Sequence, residues 1–404
     1  MVGQRRAVPF LVLLAVVLVL GSACQTNPGV DVAVAEEGVG ESYKIGALVA
    51  VTGRASSLGV PQRNTFEMLQ QQIDAAGGVR GPDGLMHPVE IIVYDTESEE
   101  TKAVLGAKKL IEEDNVAVIL GPTQSGTALA LIDSVQKAEI PLIANAASIQ
   151  IVEPVAERTW VFKTAPSDRL VVAALIEYLQ RQGISRVAWM SVNTAYGDSG
   201  KIEFEAAAPG AGISIVTSEK FEATDTDMTP QLTKIRGTDA EALIIWSIPP
   251  SASAVTKNAY DLGLDMPIFH SHGVGNETFI ELSTKEAAEG VMFPIGKIVV
   301  ADQLPDSDPQ KATLLGYVEE YQAAYGEAPT TFGGHAWDGV YLALQLLEEV
   351  GPDRSAMRDA LESTQNFVGI GGVFNFSTSD HNGLDTSAIT MVRIVDGQWT
   401  WVQD

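Results

Sequence analysis

The sequence predicts an α/β fold in two lobes of similar plan, each built on a mostly parallel sheet. Short apolar, β-branched runs alternate with segments whose apolar residues recur at helical spacing, the signature of strand, helix, strand units with right-handed crossovers. The alternation restarts near the middle of the chain, and 404 residues exceed the length over which one core keeps growing. The stretches VEIIVYDTESEETKAVLGAKKLIEEDNVAVILGP and ISIVTSEKFEATDTDMTPQLTKIRGTDAEALIIWSIPP also share one order: strand, acidic loop, helix, Asp-containing turn, apolar strand, proline-containing turn. Such an internal repeat points to two lobes of one design.

Residues 116–130, VAVILGPTQSGTALA, form the centre of the first half. Five apolar residues run into Gly121-Pro122, and then Ala128, Leu131, Ile132 and Val135 recur at helical spacing. This is a buried strand, a tight turn and a helix start, with either Thr123 or Ser125 placed to cap the helix through its hydroxyl. At such a junction unpaired backbone amides meet the carboxyl edge of a parallel sheet, where a small anion can be held, so Ser125 is a candidate ligand residue.

Before this centre, residues 43–49 read as a strand, and Phe66, Leu69, Ile73 and Ala76 mark a helix closed by Gly77-Gly78. Residues 89–94 are a second strand, and Val104, Ala107, Leu110 and Ile111 a second helix; residues 141–145 are the strand after the centre. The second half opens with a helix marked by Val171, Ala174, Leu175 and Tyr178, followed by a strand at 186–192, a Tyr196-Gly197-Asp198 turn into a helix, and a strand at 213–216. Strands at 267–270 and 290–296 follow, then helices at 313–325 and 337–350, a strand at 372–376, and a hairpin of 389–395 with 398–402 around Asp396-Gly397.

The formal net charge of −26 disfavours nucleic acid as a partner, because phosphate neutralisation needs a basic face. Arg5 and Arg6 precede an apolar run at 10–20 that is too short to span a bilayer, which takes about 20 residues, and that suits the h-region of a secretory signal. Without those two positive charges −26 becomes −28. The run ends at Gly21-Ser22-Ala23-Cys24, and Cys24, the chain's single cysteine, has no partner for an internal disulfide. Residues 25–42, rich in Gly, Pro and small or acidic residues, read as a tether.

The common phosphate-loop, hydrolase-elbow and dinucleotide fingerprints are missing, and Gly369-Ile370-Gly371-Gly372 precedes a strand, which makes it a turn. His270 and His272 alternate on one strand, yet two imidazoles with only Glu277 nearby make a poor zinc set. No cofactor is implied, and nothing in the sequence asks for an enzyme.

Six stretches together, YKIGALVAVTGRASSLG, IDAAGGVRG, VILGPTQSGTALAL, PLIANAAS, VNTAYGDSG and HSHGVGN, resemble the successive signatures of periplasmic solute-binding proteins of the branched-chain amino-acid type. The resemblance runs from Tyr43 to the C-terminus. It implies two Rossmann-like lobes joined by a three-segment hinge, with lobe 1 at 43–163 plus 292–384 and lobe 2 at 164–291 plus 385–404. It further implies a monomeric component of an ABC importer whose partners are a small-molecule ligand and the permease subunits. The same fold also serves ligand sensors that signal to a membrane partner, which is an alternative role for this chain. Residues 1–24 resemble a bacterial lipoprotein signal, with Gly21 where that family usually has Leu, and Cys24 as the lipidated residue that anchors an extracytoplasmic protein to the membrane.

Carried over by this resemblance, the ligand carboxylate is met by Ser125, by the backbone around Ala146 and Ala147, and by Ser148. Tyr196 closes over the ligand from lobe 2, and Trp246 opens a ligand-lining turn that reaches Pro249. Two departures bear on the ligand. His272 stands where amino-acid binders carry an acid that pairs with the ligand ammonium, and Leu58 replaces an aromatic. A neutral imidazole cannot neutralise an ammonium, so an aromatic or aliphatic carboxylate, or an amide, competes with a branched-chain amino acid as ligand.

Replacing the single cysteine tests the anchor: Cys24→Ala is expected to release the protein from membranes or to leave its signal uncleaved. Unchanged attachment and processing in a membrane fractionation would count against lipidation.

Overall fold

A computed structural model describes residues 38–403. The signal-like segment, Cys24 and most of the expected tether lie outside the described residues.

In the first sheet Tyr43–Val49 pairs in parallel with Val89–Asp95 on one side and Val118–Leu120 on the other, and Leu142–Ala144 and Val161–Lys163 continue it. In the second sheet Arg186–Val192 stands between Ser214–Phe221 and Ala242–Trp246, and Ile268–His270 and Met292–Gly296 follow in parallel. Both parallel sets therefore have one order, with the second strand on one side of the first and the third, fourth and fifth on the other. The internal repeat read from the sequence is a repeat of topology. The second sheet ends in the antiparallel pair Ile389–Val395 and Gln398–Trp401, joined by Asp396 and Gly397 at φ 53° and 73°, the backbone that a two-residue hairpin turn demands.

Helices cover both faces of each sheet, so strands such as Val118–Leu120, Leu142–Ala144 and Ala242–Trp246 are buried at every position. The first sheet carries one core around Phe66, Phe162 and Leu346, which reaches Phe293 and Val392 of the second sheet, and another around Leu110, Leu131 and Val135. The second sheet carries one around Trp189, Phe204 and Trp246 and another around Met190, Leu232 and Val255. In each lobe the helix after the first strand rests directly on that strand's end. A Cβ at Gly59 would stand 2.0 Å from the Ala50 carbonyl oxygen, and one at Gly197 would stand 1.9 Å from that of Val192, so only glycine permits the approach.

The chain leaves the first sheet after Lys163 and enters the second lobe's first helix at Asp168. Met292–Gly296, placed by the sequence reading at the start of the return to lobe 1, instead pairs with Ile268–His270 and Ile389–Val395, and the return follows Gly296. Other differences are local. The helix expected over 128–135 is two, Ser125–Leu129 and Ile132–Ala138. The helix expected from 337 begins at Thr331, because Gly333 and Gly334 act as packing surfaces against the Tyr317 hydroxyl and Ile370. The strand expected over 372–376 shrinks to Val373–Phe374, which pairs with Phe367–Val368 across the turn made by the glycine cluster.

Two glycines with opposite surroundings give a paired test. Gly59→Ala is expected to cost about 1–3 kcal/mol through overpacking against Ala50. Gly316→Ala, inside Lys311–Tyr325 with nothing within 4 Å of the added Cβ, is expected to gain about 0.4–1 kcal/mol. Denaturant melts of the two variants should move in opposite directions.

Candidate functional site

The carboxyl ends of both parallel sheets open onto one cavity, at the points where strand order reverses in each lobe. The first lobe contributes Arg54, Leu58, Ser125, Asn145 and Ala147, and the helix Thr331–Val350 adds Phe332 and His335. The second lobe contributes Tyr196, Ile248, His272 and Gly273. The cavity holds about 240 Å³. Since a void of about 150 Å³ accepts a benzene ring, there is room for a ring or branched chain with a carboxylate and little more.

Ser125 follows the turn after strand Val118–Leu120, and its hydroxyl caps no helix. It accepts the Ser148 amide at 3.2 Å, while its own proton has no acceptor among the described residues. Thr123, the other expected cap, accepts the Ala50 amide at 3.0 Å and donates to Gln62 at 2.6 Å, tying the turn to the first strand and first helix. Ser125 therefore presents a buried hydroxyl donor to the cavity.

Ser148 does not line the cavity. Its hydroxyl accepts the Gln150 amide and caps the turn Ile149–Ile151, so it reaches the site only through its amide on Ser125. Ala146 belongs to the core behind the wall, and Ala147 is the member of that pair that lines the cavity. Trp246 is fully buried, stacked on Trp189 at 5.5 Å with Gly200 pressed against its ring, one layer behind Tyr196 and His272. The part of that turn that lines the cavity is Ile248–Ser251. Leu58, Ser125, Ala147, Tyr196 and His272 are thus brought together, and Ala146, Ser148 and Trp246 stand behind them.

Tyr196 lies in the first turn of Ala195–Ala207, which Thr194 caps by accepting the Gly197 amide at 3.5 Å. Its ring meets His272 edge-on at 5.8 Å, and burial pushes its phenol well above the ordinary value. Burial holds His272 and His335 near pKa 3, with the Lys163 charge adding to the effect in both. Both imidazoles are therefore neutral at pH 7, and each Nδ1 is buried without a partner. Glu100, exposed at the mouth, is the acid among the lining residues, and Arg54, also exposed there, has no ion-pair partner among the described residues. The described residues contain no cluster of three or more His, Cys, Asp or Glu that could hold a metal.

The sequence reading missed Arg54, Asn145, Phe332 and His335, as well as the buried Lys163 behind Ala147. A lone cation after Trp-Val-Phe in an apolar strand was the available sign for Lys163. His335 was hidden in the stretch left outside the expected helix.

A protein-family model described as periplasmic binding protein matches residues 42–398. The Leu/Ile/Val-binding protein homolog 7 of Brucella melitensis is 24% identical over 358 residues, 84% of this chain and 86% of that protein. Among solved structures, an extracellular ligand-binding receptor from Rhodopseudomonas palustris HaA2 superposes with a TM-score of 0.81 at 30% identity, covering 89% of this chain and 99% of that one. A solute binding protein of an ABC transporter from Rhodopseudomonas palustris BisB5, in complex with 3,4-dihydroxy benzoic acid, gives 0.75 at 20% identity, covering 89% and 95%.

The buried histidines set an acid limit on stability. Unfolded histidine takes its proton near pH 6.5, whereas His270, His272 and His335 resist it until about pH 3, so their contribution is present above 6.5 and is lost as pH falls. Asp168 and Asp338, raised by burial, act with the opposite sign above about pH 4. A difference measurement separates the two. His270→Gln, outside the cavity and able to keep the bond to Thr256, should lower the pH slope of unfolding free energy between 6 and 4 by about one proton.

Proposed function

Because the chain belongs to the periplasmic binding protein family, we propose that it is the extracytoplasmic solute-binding lipoprotein of an ABC importer, taking a small carboxylate-bearing ligand such as a branched-chain amino acid between its lobes. The observation that carries this reading is the Ser125 hydroxyl, buried at the carboxyl edge of the first sheet with its proton uncommitted and the start of the helix Ala195–Ala207 across the cavity. A donor held in a dry site binds a carboxylate more strongly than it would in water. Tyr196 and His272 from lobe 2 meet the rest of the ligand, so its presence favours the closed arrangement of the lobes. Arg54 at the mouth draws anions toward a cleft in a chain that is otherwise strongly acidic. Anchoring through Cys24 keeps the carrier near its permease.

A second reading keeps the role and changes the ligand to an aromatic or aliphatic carboxylate, or an amide, without an ammonium. His272 favours it, since two neutral imidazoles and an exposed Glu100 leave an ammonium without a buried acid. The Brucella relative is named for leucine, isoleucine and valine, and the BisB5 protein was solved with a benzoic acid.

A thermal-shift panel of amino acids, aromatic acids, short carboxylates and amides tests the role, because a ligand bound only by the folded state raises the midpoint. The ligand should be recovered unchanged, and scattering should show compaction on saturation; conversion of the ligand would indicate an enzyme. Ser125→Ala should weaken binding about ten- to a hundredfold, roughly 1.5–3 kcal/mol. Full affinity in that variant would remove Ser125 from the site.

A further inference from the structure

Lys163 ends the last strand of the first sheet and is completely buried. Its Nζ donates to the Ala147 carbonyl at 2.5 Å and to that of Ser148 at 3.4 Å. The Asp168 amide donates to the same Ala147 oxygen at 3.2 Å. A carbonyl oxygen has two lone pairs, and both are used here. Ala147 lines the cavity, so its carbonyl has no capacity left for a cationic group of a ligand, and the Lys163 amine sits behind the wall.

Nζ makes no ion pair among the described residues, and burial pulls its pKa down to about 7 against the opposing Asp168 and Glu153 charges. Asp168 is the leading opposite charge on Lys163, but its carboxyl oxygens are buried without a hydrogen-bond partner among the described residues, and burial pushes the acid up to about 7, toward its protonated form. Glu153, the next acid around Lys163, is taken by Arg169 through two hydrogen bonds of 2.7 and 2.9 Å. His272 and His335, on the cavity side, are neutral. A buried ammonium is costly, so an anion arriving in the cavity favours the charged form of Lys163, whereas an arriving ammonium adds a like charge at low dielectric and drives Lys163 toward its neutral form.

We propose that Lys163 sets the charge selectivity of the cleft, favouring a small carboxylate without an ammonium over a zwitterion of the same shape. The assignment rests on the reading that the cleft binds a carboxylate, and it adds the residue that discriminates between the two ligand classes. Lys163 is a positioning and electrostatic residue that acts through Ala147; it touches no ligand itself.

Leucine and 4-methylpentanoate differ by the ammonium alone and serve as the probes. Calorimetry on the purified protein should give 4-methylpentanoate an affinity at least about tenfold above that of leucine. Lys163→Met should bring the ratio toward one, chiefly by weakening 4-methylpentanoate, and Lys163→Arg should keep it. A structural role alone would weaken both probes and leave the ratio in place. Leucine bound by the unmodified protein as tightly as 4-methylpentanoate overturns the selectivity and leaves the carboxylate reading standing. Binding of neither probe at millimolar concentration overturns both. An unchanged ratio in Lys163→Met removes Lys163 as its cause, and because the first comparison uses the unmodified protein, poor folding of that variant does not protect the proposal.

Discussion

The hydrogen bond from the Ser148 amide to the Ser125 hydroxyl is the contact on which the arrangement of the site depends. It joins the turns after two neighbouring strands, Val118–Leu120 and Leu142–Ala144, and by taking up the serine oxygen's acceptor role it leaves the hydroxyl proton free. The same turn carries Ala147, whose carbonyl is held from behind by Lys163 at the end of the next strand. Three consecutive strand ends are thus linked by two polar contacts at the carboxyl edge of the sheet. The geometry is supplied by parallel register, which brings those ends level, and by glycines that let the following helices settle on them.

Much of the fold was legible because its signals are local. Apolar runs of strand length, helical periodicity and the turn pairs Gly77-Gly78 and Asp396-Gly397 act over a few residues, and the repeated order of strand and helix extends them to two lobes. What was not legible depended on partners far along the chain. Thr123 and Ser125 looked like helix caps, but the Ala50 and Ser148 amides, 73 and 23 residues away in sequence, claimed their oxygens. Gly333 and Gly334 precede the helix expected from 337, yet inside the helix they admit Tyr317 and Ile370. Trp246 was placed at the ligand by the family resemblance, while its ring turns inward to stack on Trp189.

The site residues divide along the same line. Ser125, Tyr196 and His272 stand in motifs whose neighbours announce a strand end or a helix start. Lys163, His335 and Arg54 stand in stretches with no such signal, and they matter through where the topology brings them. The contrast in charge is also a product of topology. A chain of net charge −26 encloses a cavity whose lining acid, Glu100, is exposed at the mouth, whereas its inner imidazoles are neutral and the Lys163 amine lies behind its wall. An anion that passes the acidic exterior meets a less repulsive interior, so the outer field and the inner wall set different parts of the binding process, the approach and the retention.

The Trp189–Trp246 stack has a consequence for observation. Trp246 packs 6.1 Å from Tyr196 and 6.3 Å from His272, ring centroid to ring centroid, so it stands one side chain away from whatever fills the cavity. Any reorientation of those two rings alters the electrostatic surroundings of a paired indole chromophore held rigidly in a dry core. The protein thus carries its own optical gauge of occupancy in lobe 2, with no dye or label attached near the cleft.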